Sequence, residues 1–256
     1  MGMRFRPSRN DINNLLNHEK FYLFAAQFVE SKAAVDVGCG TGYGCEILKR
    51  VGRAREVFGC DVSRHALRYA RSHFGESAKF SLHTATDLGA YETKQFDVGI
   101  MSEVLEHVKE YRMERTAIAQ MKRVVREGGL IVIATPNSEL LEHHGFSYDE
   151  IHSICDENFS SYHLLENALI PFDNEMKEHW EKRLKEGHVG VIVSENVNLH
   201  QTVLPSGSHP KLKSGIDPKY LMLGGYRIDL TLLHNTHSWV VLAINGKRSI
   251  SHAPAV

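Results

Sequence analysis

The chain has 256 residues, a formal net charge of −1, 42% hydrophobic residues and four cysteines. That length suits one α/β domain plus an elaboration, and the balanced charge excludes a global basic field for holding nucleic acid. No apolar run of about eighteen residues occurs, so no membrane-spanning helix is expected, and no apolar leader opens the chain. Cys39, Cys45, Cys60 and Cys155 show no paired spacing, which suits a reducing, cytoplasmic location.

Residues 1–10 read as a polar arm. A helical period follows over 11–30, carried by Ile12, Leu15, Leu16, Tyr22, Leu23, Ala26 and Phe28. Val35-Asp36-Val37 reads as a short buried strand running into a turn with Gly38, Gly40, Gly42 and Gly44, then a helix from about Cys45. Val57 to Asp61 reads as a second strand that ends in a carboxylate, which can accept from both hydroxyls of a ribose. A strand, a glycine turn, a helix and a strand-end acid make the nucleotide half-site of a doubly wound sheet. It is not the dinucleotide form G-x-G-x-x-G, because Tyr43 stands where the third glycine belongs. No lysine follows the glycines, so a triphosphate-binding loop is not expected either.

Arg64, Arg68 and Arg71 recur at helical spacing as a solvated face, with Ala66, Leu67 and Ala70 turned inward. Lys79 to Leu88 contains a third strand and its loop. Phe96 to Val108 reads as strand four running into a helix, and Ile118, Met121, Val124 and Val125 as a helix face packed on the sheet. Gly128-Gly129 reads as a turn before strand five, which ends at Thr135-Pro136-Asn137. Ser147 is a plausible N-cap for a helix through Ile151, and Ser161 to Glu166 is strand six. Strand seven is placed at Ser238 to Ile244. The boundaries are an arm and lid helix over 1–30, a core over 31–168, an insertion over 169–237, and a final strand and tail over 238–256. The insertion contains a charged helix over 173–186, an apolar run over 189–193 and a Pro-, Gly- and Ser-rich loop over 205–215. Long insertions are usually functional, so this one is expected to contact substrate or form a homodimer interface.

Val-Asp-Val-Gly-Cys-Gly-Thr-Gly resembles motif I of the class I S-adenosylmethionine (SAM)-dependent methyltransferases. Glu-Val-Leu-Glu-His-Val, followed by a Gly-Gly strand and Thr-Pro-Asn, resembles the ubiquinone-biosynthesis O-methyltransferase type over residues 15–168. The resemblance implies a Rossmann-like α/β fold: a seven-stranded, mostly parallel sheet with helices on both faces. It also implies SAM as cofactor. By that resemblance the turn of Gly38, Gly40 and Gly42 passes under the methionine part, with Asp36 just before it. Asp61 holds the ribose, with Val62 beside it, and His18 meets the carboxylate. Many relatives have Asp where Thr84 stands, so Asp87 or the backbone around Ala85 and Thr86 serves the adenine. Ser102 corresponds to a SAM contact.

Methyl transfer from a sulfonium is a direct displacement, served by alignment and, for an oxygen nucleophile, by a base. His107 is the candidate base and Glu103 its candidate orienting partner. The chain lacks the Asn/Asp-Pro-Pro-Tyr/Phe motif of amide and adenine N-methyltransferases, and no cysteine nucleophile lies near strands four and five. An oxygen or a simple amine on a small-molecule or sugar-like acceptor is therefore the expected target, with no metal. In a rival reading, Glu103, Glu106 and His107 share a helix face at i, i+3 and i+4 and join His143 and His144 around a divalent metal. This resembles metal-dependent enzymes that methylate the terminal 2′-hydroxyl of small RNAs. A SAM-binding protein without turnover is the non-enzymatic alternative.

Overall fold

Four small or branched residues in a run of five, interrupted only by Asp36, make a strand that must be covered on both faces. β1 (Ala33–Val37) is buried at all of its positions. A computed structural model describes residues 12–138, 144–168, 221–223, 226–228 and 236–246. In chain order its elements are α1 (Ile12–Ala26), β1, α2 (Tyr43–Arg50), β2 (Glu56–Asp61), α3 (Arg64–Phe74), β3 (Lys79–Leu82) and β4 (Phe96–Ser102). They continue with α4 (Leu105–Lys109), α5 (Glu114–Val124), β5 (Val125–Pro136), α6 (Tyr148–Asn158), β6 (Ser161–Ala168), β7 (Leu221–Leu223), β8 (Tyr226–Ile228) and β9 (Thr236–Ile244).

Seven strands form one sheet in the order β3-β2-β1-β4-β5-β9-β6, and β7 pairs with β8 separately. The first five are parallel to one another, while β9 runs antiparallel to both β5 and β6. This is the expected Rossmann-like α/β fold, with β9 in the place assigned to strand seven. The order reverses between β1 and β4: the chain steps outward from β1 to β2 and β3, then crosses back to β4 on the other side of β1. In such sheets a ligand crevice opens at this switch point, beyond the carboxyl ends of the strands.

Alternating side chains feed two cores. Ile100, Val132, Val240 and Leu242 face one layer with Phe21 and Phe24 of α1, Ile47 and Leu48 of α2 and Leu67 of α3. Met101, Ile133, Val241 and Ala243 face the other, with Ile118 and Met121 of α5 and Ile151 and Ile154 of α6. Ser147 caps α6 as expected: its Oγ accepts from the Glu150 amide while Glu150 reaches back to the Ser147 amide, a full capping box. Trp239 is fully buried and its indole Nε1 donates to the Phe146 carbonyl at 2.8 Å, pinning the entry of α6 to β9.

Three details differ from the sequence expectation. Gly128-Gly129 does not precede strand five. β5 already begins at Val125, opposite Phe96, and pairing resumes at Leu130 opposite Val98, so the glycines sit in an excursion within the strand. Val125 accordingly belongs to β5 rather than to a helix. Glu103 does not share a helix with Glu106 and His107, because α4 begins at Leu105 and Glu103 has φ +53°. The arm over 1–10, His143 and the insertion features over 173–186, 189–193 and 205–215 lie outside the described residues.

Candidate functional site

The β1–α2 turn is built by backbone. Gly38 and Gly40 have φ of +82° and +53°, in the left-handed region that glycine enters without a Cβ penalty. A Cβ on Gly38 would meet Val104 Cγ2 at 2.2 Å, so the turn lies directly against the β4–α4 loop. A Cβ on Gly40 would meet nothing within 4 Å. The turn therefore packs its flank and leaves its crown facing open space. The amides of Gly38 and Cys39 both donate to the Cys60 carbonyl, at 2.7 and 2.9 Å, which clamps the turn to the end of β2. Cys39 is a small packed residue, 2% exposed.

Asp61 stands at the end of β2 and completes this cradle. Its Oδ2 accepts from the Gly40 amide at 2.9 Å and its Oδ1 from the Ser63 amide at 2.7 Å. Each carboxylate oxygen offers about two acceptor positions, so a diol can still be held by the same group. Val62, next in the chain, is 66% exposed and offers an apolar surface beside it. After β3, the Asp87 carboxylate accepts from the Gly89 amide at 2.9 Å and its own amide donates to the Thr84 carbonyl. Asp87 thus shapes the loop that follows β3 as well as offering it a charge. Asp36 is 0% exposed, beneath the turn, with Tyr22 Oη donating to its two oxygens at 3.2 and 3.1 Å. His18 lies on α1, half-buried.

The other half of the crevice is built by side chains at the ends of β4 and β5. Ser102 closes β4, 7% exposed. Glu103 turns with positive φ while its amide donates to the Ala134 carbonyl at 2.9 Å. Glu106 is buried on α4; its Oε2 accepts from Thr135 Oγ1 at 2.9 Å. Its Oε1 has no hydrogen-bond partner among the described residues and faces His107 Nε2 at 3.9 Å. The His107 ring lies 5.4 Å from that of His144. Burial raises both Glu103 and Glu106 above the usual carboxylate range, and Glu106 repels a second charge on Glu103. Two such acids resist being ionised together. His107 has a half-exposed side chain and is pushed down by its partial burial and by His144, which keeps it neutral near pH 7. One ligand atom each from Glu106, His107 and His144 lies within 4.8 Å of the others.

A cavity of about 330 Å³ lies at the opposite edge of the sheet, lined by Lys32, Asp97, Arg126 and Tyr162 among others. Its charges are spent on one another and on backbone: Arg126 donates to Asp97 at 2.7 Å, and Lys32 to the Phe28 carbonyl at 2.8 Å. The ligand-ready groups are at the carboxyl edge.

Sequence reasoning named the turn, Asp61 and His107, which the structure places along the carboxyl edge of the sheet, and did not single out Tyr22 or Thr135. Tyr22 was one member of an apolar stripe, and its polar partner is 14 residues away. Thr135 stood in a recognised string, but nothing in that string points to Glu106.

Sheet order, glycine turn and strand-end acid together define a Rossmann-like domain of the class that holds a nucleoside cofactor at the switch point. Residues 35–133 match the family model described as a methyltransferase domain. The chain is similar to the ubiquinone biosynthesis O-methyltransferase of Thiobacillus denitrificans, 38% identical over 41% of this chain and 45% of that protein. It is also similar to that of Mesorhizobium japonicum, 37% identical over 45% of each. The chain thus spans under half the length of these curated relatives. Its fold is like that of the YcgJ protein from Bacillus subtilis, with TM-score 0.54 and 15% identity over 90% of this chain and 99% of that one. It is also like that of the N-methyltransferase NodS from Bradyrhizobium japonicum WM9, solved with S-adenosyl-L-homocysteine, with TM-score 0.53 and 18% identity over 64% of this chain and 84% of that one.

Proposed function

We propose that this protein is a SAM-dependent methyltransferase that methylates an oxygen of a small-molecule or sugar-like acceptor. The observation that carries the proposal is the cradle: Gly40 faces open space while its amide is tied to the Asp61 carboxylate at 2.9 Å. The methyltransferase domain over 35–133 and the named activity of the similar O-methyltransferases support the same reading. When bound, SAM supplies a methyl already activated by its positive sulfur.

The chain's own residues then have separable tasks. The turn of Gly38, Gly40 and Gly42 receives the methionine part and Asp61 the ribose hydroxyls. Val62 and the Thr84–Asp87 loop flank the adenine, and His18 meets the carboxylate. Ser102 closes the pocket from β4. His107, neutral near pH 7, accepts the proton of the acceptor hydroxyl. Glu103 and Glu106 resist being ionised together, so the pair keeps a proton beside His107, and Glu103 is assigned the positioning of that histidine. Alignment of acceptor and methyl supplies most of the rate enhancement. Among the described residues no helix is long and apolar enough to cross a membrane, and a cytoplasmic enzyme fits this. The 169–237 segment is assigned to acceptor recognition or self-association.

A second reading rests on one observation, the buried and unpartnered Glu106 Oε1 within reach of His107 and His144. Two histidines and a carboxylate are a suitable donor set for a divalent metal, and a metal would polarise an acceptor oxygen. The deciding experiment is transfer of radiolabelled methyl from SAM to a panel of phenols, sugars and short RNAs, with and without chelator. Label on a small hydroxylated acceptor, unchanged by chelation, supports the first reading. Label on RNA, or abolition by chelator with recovery on adding divalent cation, supports the second. SAM binding with no transfer to any acceptor contradicts both.

A further inference from the structure

Tyr22 lies on α1, outside residues 35–133, yet it touches both sides of the glycine turn. Its hydroxyl donates to the Asp36 oxygens at 3.2 and 3.1 Å, on the strand before the turn. Its ring stands edge-on to Tyr43 at 5.4 Å, on the helix after the turn. It also lies so close to Gly44 that a Cβ there would meet the ring at 2.2 Å. Tyr22 is 3% exposed and Asp36 0%. Among the described residues the remaining side-chain donor to Asp36 is the Cys45 thiol at 3.5 Å, a weak one. Resting on the reading of this turn as the SAM cradle, we propose that Tyr22 is a positioning residue. Its hydroxyl holds the Asp36 carboxylate beneath the turn, ties α1 to the cradle and presents a buried negative charge to the cationic cofactor.

The groups that face Asp36 are Tyr22 from α1, Tyr43 and Cys45 from α2, Cys39 in the turn, and Cys60 and Asp61 at the end of β2. None of these is cationic. Burial therefore pushes Asp36 up to about 7, and the Tyr22 and Cys45 hydrogen bonds restrain that rise while Asp61 adds to it. A cation nearby favours the ionised acid, and its attraction is strong where water is excluded. Without the hydroxyl, the acid takes up a proton at neutral pH and the cofactor loses that attraction. The loss is reversed by raising the pH.

Calorimetric titration of the full chain with SAM and with S-adenosylhomocysteine, at pH 7 and pH 8.5, tests this. Tyr22→Phe is expected to weaken SAM binding about five- to tenfold at pH 7, the size of one typical intramolecular hydrogen bond. The deficit shrinks to about twofold at pH 8.5, and it is smaller for the uncharged-sulfur product. In an Asp36→Asn background the same change adds less than about twofold, because no acid is left to hold. That double variant carries no stranded acid, so it also serves if Tyr22→Phe alone does not fold. Equal affinity in the variant, an equal deficit at both pH values, or an undiminished deficit in the Asn background overturns the proposal. If the unaltered protein binds neither ligand, the cradle reading fails and this role with it. If it binds and only the variant comparisons fail, the cradle stands and Tyr22 is structural.

Discussion

The two halves of the crevice are made of different materials. On the β1–β2 side the polar groups are backbone amides and two carboxylates, each with a partner: Gly38 and Cys39 to Cys60, Gly40 and Ser63 to Asp61, and Tyr22 to Asp36. On the β4–β5 side they are titratable side chains under tension. Glu103 is held at φ +53°, Glu106 keeps one buried oxygen without a hydrogen-bond partner among the described residues, and the two acids repel one another. A cofactor cradle benefits from being fully formed before the ligand arrives, since preorganisation lowers the cost of binding. A reacting centre benefits from groups whose protons are easily moved, and buried acids and a depressed histidine provide that. The contrast teaches where each kind of substitution will act: backbone changes on the first side, charge changes on the second.

Gly38→Ala should have the largest effect, because it adds a Cβ at 2.2 Å from Val104 and strains a left-handed φ. We expect a loss of about 3 kcal/mol in denaturant unfolding; an unchanged midpoint would mean that the turn is not locked against the β4–α4 loop. His107→Ala is next. Turnover should fall about 10²-fold, or about 2.7 kcal/mol, with SAM affinity retained. An unaltered rate removes His107 from the chemistry. The third concerns pH. Asp36 sits at about 7 in the folded chain against an ordinary 3.8. The folded state therefore binds the proton more tightly than the unfolded one. The resulting stabilisation is full below about pH 4 and is lost as pH rises through about 7. Ligand-free protein should lose on the order of 2 kcal/mol from this group between pH 5 and pH 7, and Asp36→Asn should flatten that slope. A slope of the same steepness in the variant assigns it elsewhere. Thr135→Val should be the mildest, costing about 1 kcal/mol through its lost hydrogen bond to Glu106. A larger effect on turnover than on stability would show that the bond orients Glu106 for catalysis.

The same contrast explains what the sequence disclosed. The backbone half was legible, since alternate glycines and a strand-end Asp61 declare a turn that needs close approach. The parallel strands were legible as unbroken apolar runs, and Ser147 as an N-cap, while the return bond from Glu150 was not read. The side-chain half was legible only in its residue types. Nothing local signals that Glu103 leaves the helix, because a positive φ at a glutamate is imposed by the loop's packing. The Tyr22–Asp36 and Thr135–Glu106 bonds join positions 14 and 29 residues apart, which no periodicity encodes. The Gly128-Gly129 pair was read as a turn because glycines usually mark strand ends; here they form an excursion that lets β5 resume pairing at Leu130.

The central claim is that the glycine turn and Asp61 together hold an adenosyl cofactor. Titration of S-adenosylhomocysteine into the unaltered chain and into Asp61→Ala tests it most directly. Measurable saturable binding to the first, weakened by about 1–3 kcal/mol in the second while the fold is retained, is the predicted result. Indistinguishable affinities, or no retention by well-folded protein at millimolar ligand, would contradict it.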